Sequence, residues 1–132
     1  MKKIEVVAAI IYKEDRYLAT QRGNGEFKGL WEFPGGKIEV GESHEVALKR
    51  EIYEELNLSI EVERFVCTTE FDYPSFYLKM HCYLCSSVAG EMELREHLSY
   101  RWLSTDTLNE VKWLPADKEV VRELQNYSIQ TQ

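Results

Sequence analysis

The sequence predicts a single mixed α/β domain, and three observations carry that reading. Residues 4–12 form an almost continuous apolar run, the composition of a strand buried on both faces. Residues 43–56 repeat apolar positions at helical spacing, with Leu48, Ile52 and Leu56 on one side. Residues 59–73 and 76–86 are rich in β-branched and aromatic side chains, with Pro74-Ser75 between them as a hairpin turn. A chain of 132 residues with 44% hydrophobic content suffices for one core over 1–132, and it contains no repeat, linker or low-complexity stretch.

The remaining elements follow in order. Lys13-Glu14-Asp15-Arg16 turns the first strand into a second at 17–21. Gly23-Asn24-Gly25 opens a loop that reaches Leu30. Trp31-Glu32-Phe33 reads as a short extended piece, and Pro34-Gly35-Gly36 as a tight turn before the helix. Ser43 suits the N-cap and Glu45 the first turn. Asn57 closes the helix where left-handed backbone is wanted. Further on, 98–103 reads as a strand and 104–108 as a short helix capped by Ser104. A last helix spans 115–125, with Pro115 in its first turn and Val120, Val121 and Leu124 on one face. The polar residues 126–132 are expected to fray.

A net charge of −7 argues against binding nucleic acid or an anionic membrane by bulk electrostatics. A polyanionic substrate would need a bound metal and a few placed basic residues. No apolar run approaches ~20 residues and the N-terminus lacks a signal-peptide pattern, so a cytoplasmic protein is expected. Cys67, Cys82 and Cys85 are too few, and odd in number, for a disulfide framework. Cys82-Tyr83-Leu84-Cys85 has the spacing of a metal or redox pair, but on a strand these two thiols point to opposite faces. Buried structural cysteine is the reading.

The predicted helix also has an acidic side. Glu51, Glu54 and Glu55 fall within an arc of about 100°. Carboxylates so gathered repel unless a cation neutralises them. Hard oxygen ligands suit Mg²⁺ or Mn²⁺, which in turn bind phosphate oxygens. An acidic helix face alone is ordinarily solvated surface, but the spacing here is more particular. Gly36 is followed by five residues, Glu42, seven residues, then Arg50-Glu51-Ile52-x-Glu54-Glu55-x-Asn57-Leu58. This resembles the Nudix box at every specified position but one, since the family has glycine where this chain has Asn57. That substitution is expected to cost a little stability and leave the chemistry alone.

The resemblance extends outward. Ile4-Glu5-Val6-Val7-Ala8-Ala9-Ile10-Ile11, Gln21-Arg22, Leu30-Trp31-Glu32-Phe33-Pro34-Gly35-Gly36-Lys37, Glu96-His97 and Leu114-Pro115-Ala116-Asp117 are similar to the MutT-like branch. Within that branch they look most like the bacterial CTP pyrophosphohydrolases. The resemblance implies the Nudix fold, a mixed β-sheet sandwiched between helices, and hydrolysis of a nucleoside diphosphate linked to a further group. It implies that Glu51, Glu55 and the carbonyl of Gly36 ligate a divalent cation, with Glu54 as further ligand or base. Arg50 would pair with Glu42 and a box glutamate. Glu96 matches a distal glutamate that reaches the metal and takes the proton of the attacking water. Arg22 and Lys37 flank the site in sequence and are the candidates for phosphate contacts. The backbone at Phe33 and the side chain of Asp117 are implied to contact the base. Tyr73, Phe71 and Trp31 are candidates for stacking or for core, and His97 and His44 have no role in this scheme.

The implied reaction converts a nucleoside triphosphate and water to a monophosphate and pyrophosphate. It uses Mg²⁺, with Mn²⁺ as a substitute, on a small nucleotide substrate, in a monomer or homodimer. An ionised Asp117 only accepts hydrogen bonds, from the amino group of cytosine or N–H groups of guanine. MutT enzymes selective for 8-oxoguanine tend to have asparagine there, which tips the reading toward CTP, dCTP or 5-substituted cytidine nucleotides over 8-oxo-dGTP. A rival is ADP-ribose, because Pro74 falls 16 residues beyond Leu58, a spacing similar to that of the ADP-ribose hydrolases. A non-catalytic Nudix-fold binding module is another, but such chains would be expected to have lost a box glutamate or the arginine, and all are present here.

Overall fold

The computed structural model describes residues 2–131, with side chains to Asn126. The strands and helices are β1 Lys3–Lys13, β2 Arg16–Gln21, β3 Trp31–Glu32, β4 Gly35–Lys37, α1 His44–Leu56, β5 Ser59–Tyr73, β6 Phe76–Ala89, β7 Ser99–Leu103 and α2 Pro115–Thr131, with a 3₁₀ turn at Leu108–Glu110. The sheet is mixed and seven-stranded, in the order β3-β2-β1-β6-β5, with β4 added to β1 and β7 to β2.

β1 organises it. One edge pairs in parallel with β6 from Lys3↔Tyr77 to Ile11↔Cys85. The other edge is divided between β4, at Val6↔Lys37 through Ala8↔Gly35, and β2, at Tyr12↔Tyr17 and Lys13↔Arg16. Helices cover both faces, which is why this strand is apolar from Val6 to Tyr12 rather than alternating. Leu48, Ile52 and Leu56 of α1 pack over Val7, Ala9, Ile11 and Cys85. Val120, Val121 and Leu124 of α2 pack over Ala8, Ile10, Met80 and Cys82 on the opposite face. Cys82 and Cys85 therefore diverge, as strand geometry requires. Among the described residues, no helix is long and apolar enough to cross a membrane.

α1 begins and ends as its residues dictate. The Ser43 hydroxyl accepts the Val46 N–H at 3.2 Å. Asn57 sits in the left-handed region at φ 58°, and its N–H reaches the Tyr53 carbonyl at 3.0 Å.

Three expectations are corrected. Gly35 and Gly36 form no tight turn; they are strand β4 and neither has a positive φ. They are glycines because of close approach, since a Cβ on Gly35 would stand 2.0 Å from the Val7 carbonyl oxygen. The short helix expected at 104–108 starts later, at Leu108. Thr107 Oγ1 accepts the Ser104 N–H at 2.8 Å, and this local bond holds a turn where a helix would begin. α2 runs past Gln125 to Thr131, so its backbone is helical over most of the stretch expected to fray; Gln132 lies outside the described residues.

Candidate active site

Strand β4, helix α1 and the loop before β7 enclose a polar cleft of about 490 Å³. Its lining brings together Arg22, Gly36, Lys37, Glu51, Glu55 and Glu96 from four separate stretches of chain. The helix is seated against β4 by direct contact. A Cβ on Gly36 would lie 2.4 Å from Glu51 Cδ, so only glycine lets this carboxylate rest on the strand backbone.

Arg50 locks the arrangement. Its Nε and Nη2 donate to the two Glu42 oxygens at 2.6 and 2.8 Å, a bidentate fork. Nη2 also donates to the Lys37 carbonyl at 3.0 Å, and Nη1 to Glu51 Oε1 at 2.9 Å. The fork and the Glu39 N–H together hold the Glu42 carboxyl down at about 2. Glu54 takes a weaker share of Nη1 at 3.4 Å and stays 56% exposed at the rim, outside the cleft lining.

The loop carrying Glu96 is docked onto the last turn of α1, which has no basic residue of its own. Arg95 supplies that charge from outside, its Nη1 donating to the carbonyls of Tyr53 at 3.2 Å and Glu54 at 3.4 Å. The backbone N–H groups of Glu93 and Arg95 bond the Leu56 and Glu55 carbonyls, and Asn57 Nδ2 bonds Glu91 O. Gly23 permits the other side of this approach, since a Cβ there would meet the Glu96 carbonyl oxygen at 2.1 Å.

The electrostatics of the cleft call for a cation. Glu55 is buried, and its Oε2 has no hydrogen-bond partner. Burial, then the charges of Glu51, Glu32 and Glu96, push its carboxyl up to about 9. Burial also raises Glu51, against the pull of Arg50. An orphaned carboxylate oxygen among like charges is the donor set a hard divalent ion satisfies. Among the described residues, no three acidic, imidazole or thiol groups converge tightly enough to hold an ion without side-chain adjustment. Glu54 turns away from this set toward Arg50.

A second, mostly apolar cavity of about 290 Å³ opens beside the cleft and shares Arg22, Glu32, Gly35 and Gly36 with it. Phe27, Phe33, Tyr73, Phe76, Leu78 and Met80 wall it, and Asp117 lies among them. Asp117 Oδ2 accepts the Phe33 N–H at 2.9 Å, so that backbone donor is already engaged. Complete burial raises the Asp117 carboxyl well above the usual carboxylate range, with the Glu32 charge adding to it. The Tyr73 hydroxyl accepts the Ala116 N–H at 3.2 Å, tying this wall to the start of α2. Trp31 packs against the core under α2, and Phe71 lies at the sheet edge with its ring 4.6 Å from that of Tyr73.

Two lining residues carried no assigned role in the sequence reading. Glu32 receives Arg22 Nη1 at 3.1 Å and lies 3.3 Å from His97 Nε2, joining the two cavities. The signals for both were their places in the Leu30–Lys37 stretch and the Glu96-His97 pair, which are similar to the MutT-like branch but assign neither a role. His44 lies away from the cleft lining, stacked on His81 with ring centroids 4.4 Å apart.

The chain matches the NUDIX domain over residues 2–124. It is 36% identical over 118 residues to the CTP pyrophosphohydrolase of Escherichia coli (strain K12), covering 89% of this chain and 87% of that protein. It is 37% identical over 131 residues to the 8-oxo-dGTP diphosphatase of Haemophilus influenzae, covering 95% and 93%. The solution structure of the E. coli ORF135 protein aligns with a TM-score of 0.85 at 33% identity, covering 96% of this chain and 91% of that one. The matched span contains both cavities and the whole glycine-to-helix segment. This chain belongs to the Nudix hydrolase family, on its MutT-like branch.

Proposed function

We propose that this enzyme cleaves nucleoside triphosphates to monophosphate and pyrophosphate with Mg²⁺ as its metal, and that cytidine nucleotides are its substrates: CTP, dCTP or their 5-substituted forms. The observation that carries this reading is the continuity of an acidic cleft with an apolar cavity through Arg22, Glu32, Gly35 and Gly36. A triphosphate spans the first while its base enters the second.

Glu51, Glu55, Glu96 and the Gly36 carbonyl would hold the divalent ion, which supplies neutralising charge to the phosphate oxygens and is replaceable by Mn²⁺. Arg50 keeps Glu51 in register through the Glu42 fork. Arg22 and Lys37 bind phosphate oxygens at the rim of the cleft. Glu96, or Glu54 from the exposed side of α1, takes the proton from water as it attacks phosphorus in line. Hydrolysis is then positioning and charge stabilisation. Asp117 reads the base edge through the carboxyl oxygen not engaged by Phe33, and the Tyr73 and Phe76 rings form the apolar wall.

Similarity to a CTP pyrophosphohydrolase supports the choice of cytidine. Similarity to 8-oxo-dGTP diphosphatases supports 8-oxo-dGTP as the second reading. Pro74 sits in the turn between paired Tyr73 and Phe76, a structural reason for proline that leaves the ADP-ribose reading without its motivating feature. The test is a panel of CTP, dCTP, 5-methyl-dCTP, 8-oxo-dGTP and ADP-ribose with Mg²⁺, products resolved by chromatography. Cytidine triphosphates should turn over best and release pyrophosphate. Turnover of ADP-ribose alone, or release of single phosphate from triphosphates, overturns the proposal.

A further inference from the structure

Cys67 and Cys82 stand directly opposite each other on the antiparallel strands β5 and β6. Both side chains face the core under α2, Cys82 fully buried within it and Cys67 half-buried at its margin. Opposed residues of an antiparallel pair have Cα atoms ~4.5–5.5 Å apart, inside the range a disulfide requires. The facing thiols shift one another, Cys67 downward and Cys82 upward, with burial adding to the rise at Cys82. Cys85 is on the other face, its Sγ 3.5 Å from the Tyr83 carbonyl.

We infer that Cys67 and Cys82 form an oxidisable pair, a modification site at which a peroxide converts opposed thiols into a disulfide clamping β5 to β6. Cys67, the accessible member, attacks the peroxide as thiolate. The O–O bond breaks, Cys67 becomes a sulfenic acid and the leaving oxygen departs as water. The Cys82 sulfur then attacks the sulfenic sulfur, the S–S bond forms, the S–O bond breaks and a second water leaves. Two thiols lose two electrons and one peroxide becomes two waters. The clamp closes a loop that contains Tyr73, Phe76, Leu78 and Met80, which wall the apolar cavity. It therefore stiffens the part of the protein that receives the base, whichever base that is.

The experiment treats the folded full chain with hydrogen peroxide and follows intact mass, peptide linkage and thiol count. Expected are a mass lower by two hydrogens, a Cys67–Cys82 linked peptide, and a fall from three reactive thiols to one after denaturation. Dithiothreitol should reverse all three, Cys85→Ser should leave the link intact, and Cys67→Ser should abolish it. Amide exchange across residues 73–76 should slow ~10-fold in the oxidised protein. Oxygen addition at Cys67 without a link, a link formed only between chains, or three thiols still reactive overturns the site. Unchanged amide exchange overturns the clamp.

Discussion

The Glu51 carboxylate rests on the backbone of Gly36, with no room between them for a methyl group. The glycine that opens the box is thus required by a side chain on the helix, since its own backbone is ordinary strand. Gly36→Ala should fold, because the obstructing atoms end a flexible side chain, but it should displace Glu51. We expect kcat/KM to fall ~10–100-fold with little change in Tm. Gly35→Ala meets the Val7 carbonyl oxygen at 2.0 Å and Ala8 Cα at 2.8 Å, backbone that cannot yield, and should lower Tm sharply. Melting curves and kinetics on both variants decide it; equal Tm losses would make Gly36 a packing residue only.

The Arg50–Glu42 fork predicts a pattern of acid sensitivity. The Glu42 carboxyl sits at about 2 in the folded protein, against 4.5 for a free side chain. A depressed acid contributes stability above its unfolded value and loses it as pH falls through the folded one. The contribution should be complete above pH 4.5 and gone near pH 2. Acid unfolding followed by circular dichroism should show a shallower slope over that window in Glu42→Gln. Arg50→Lys, which keeps the charge but lacks the fork, should lose at least ~10-fold in kcat/KM.

Glu55 works with the opposite sign. Its carboxyl lies at about 9, so the folded state holds a proton that the unfolded state releases above 4.5. Stability should therefore decline as pH rises from 4.5 toward 9, and Glu55→Gln should flatten that decline. At pH 8 the variant should melt up to ~5 °C higher than the metal-free wild type and gain less when Mg²⁺ is added. Calorimetry with and without metal checks both; an undiminished Mg²⁺ shift would remove Glu55 from the ligand set.

Arg95 is expected to act on catalysis at a distance. Arg95→Ala removes the charge that caps the last turn of α1 and loosens the loop that carries Glu96. The stability cost should be about 1 kcal/mol. The loss in kcat should reach ~10-fold, measured at saturating metal and substrate. A stability change with full activity would show that Glu96 is held by the backbone contacts alone.

Asp117→Asn keeps an oxygen for the Phe33 N–H and so keeps the local fold. It should shift the ratio of kcat/KM between CTP and 8-oxo-dGTP by ~10-fold or more while changing kcat for the better substrate only a few-fold. A uniform loss across bases would argue that Asp117 anchors the Phe33 backbone and reads nothing.

Local order explains what the sequence disclosed. The box lies within one stretch from Gly36 to Leu58, so its spacing alone announces a helix with an acidic side. The hairpin strands were legible from composition and a central proline, and β5 spans the residues expected of it. Gly35 and Gly36 misled because a glycine pair reads locally as a turn, while their cause is Val7 and Glu51, both distant in sequence. Glu32 and His97 meet across 65 residues, a pairing no local pattern encodes. The Cys67–Cys82 opposition depends on a register that shifts between Phe65 and Cys67, and counting along the strands does not reveal it. Glu54 shows the opposite limit: helical arithmetic groups it with Glu51 and Glu55, yet Arg50 holds it at the rim.

The central pair of strands sorts its residues by parity. On β1 and β6, Val6, Ala8, Leu78 and Met80 face the apolar cavity, while Ala9, Ile11 and Cys85 floor the helix that bears the glutamates. Substitutions on one set reshape what enters, and substitutions on the other disturb how the acids are held. Alternate residues of the same two strands therefore serve separate ends, one set shaping the cavity and the other seating the helix.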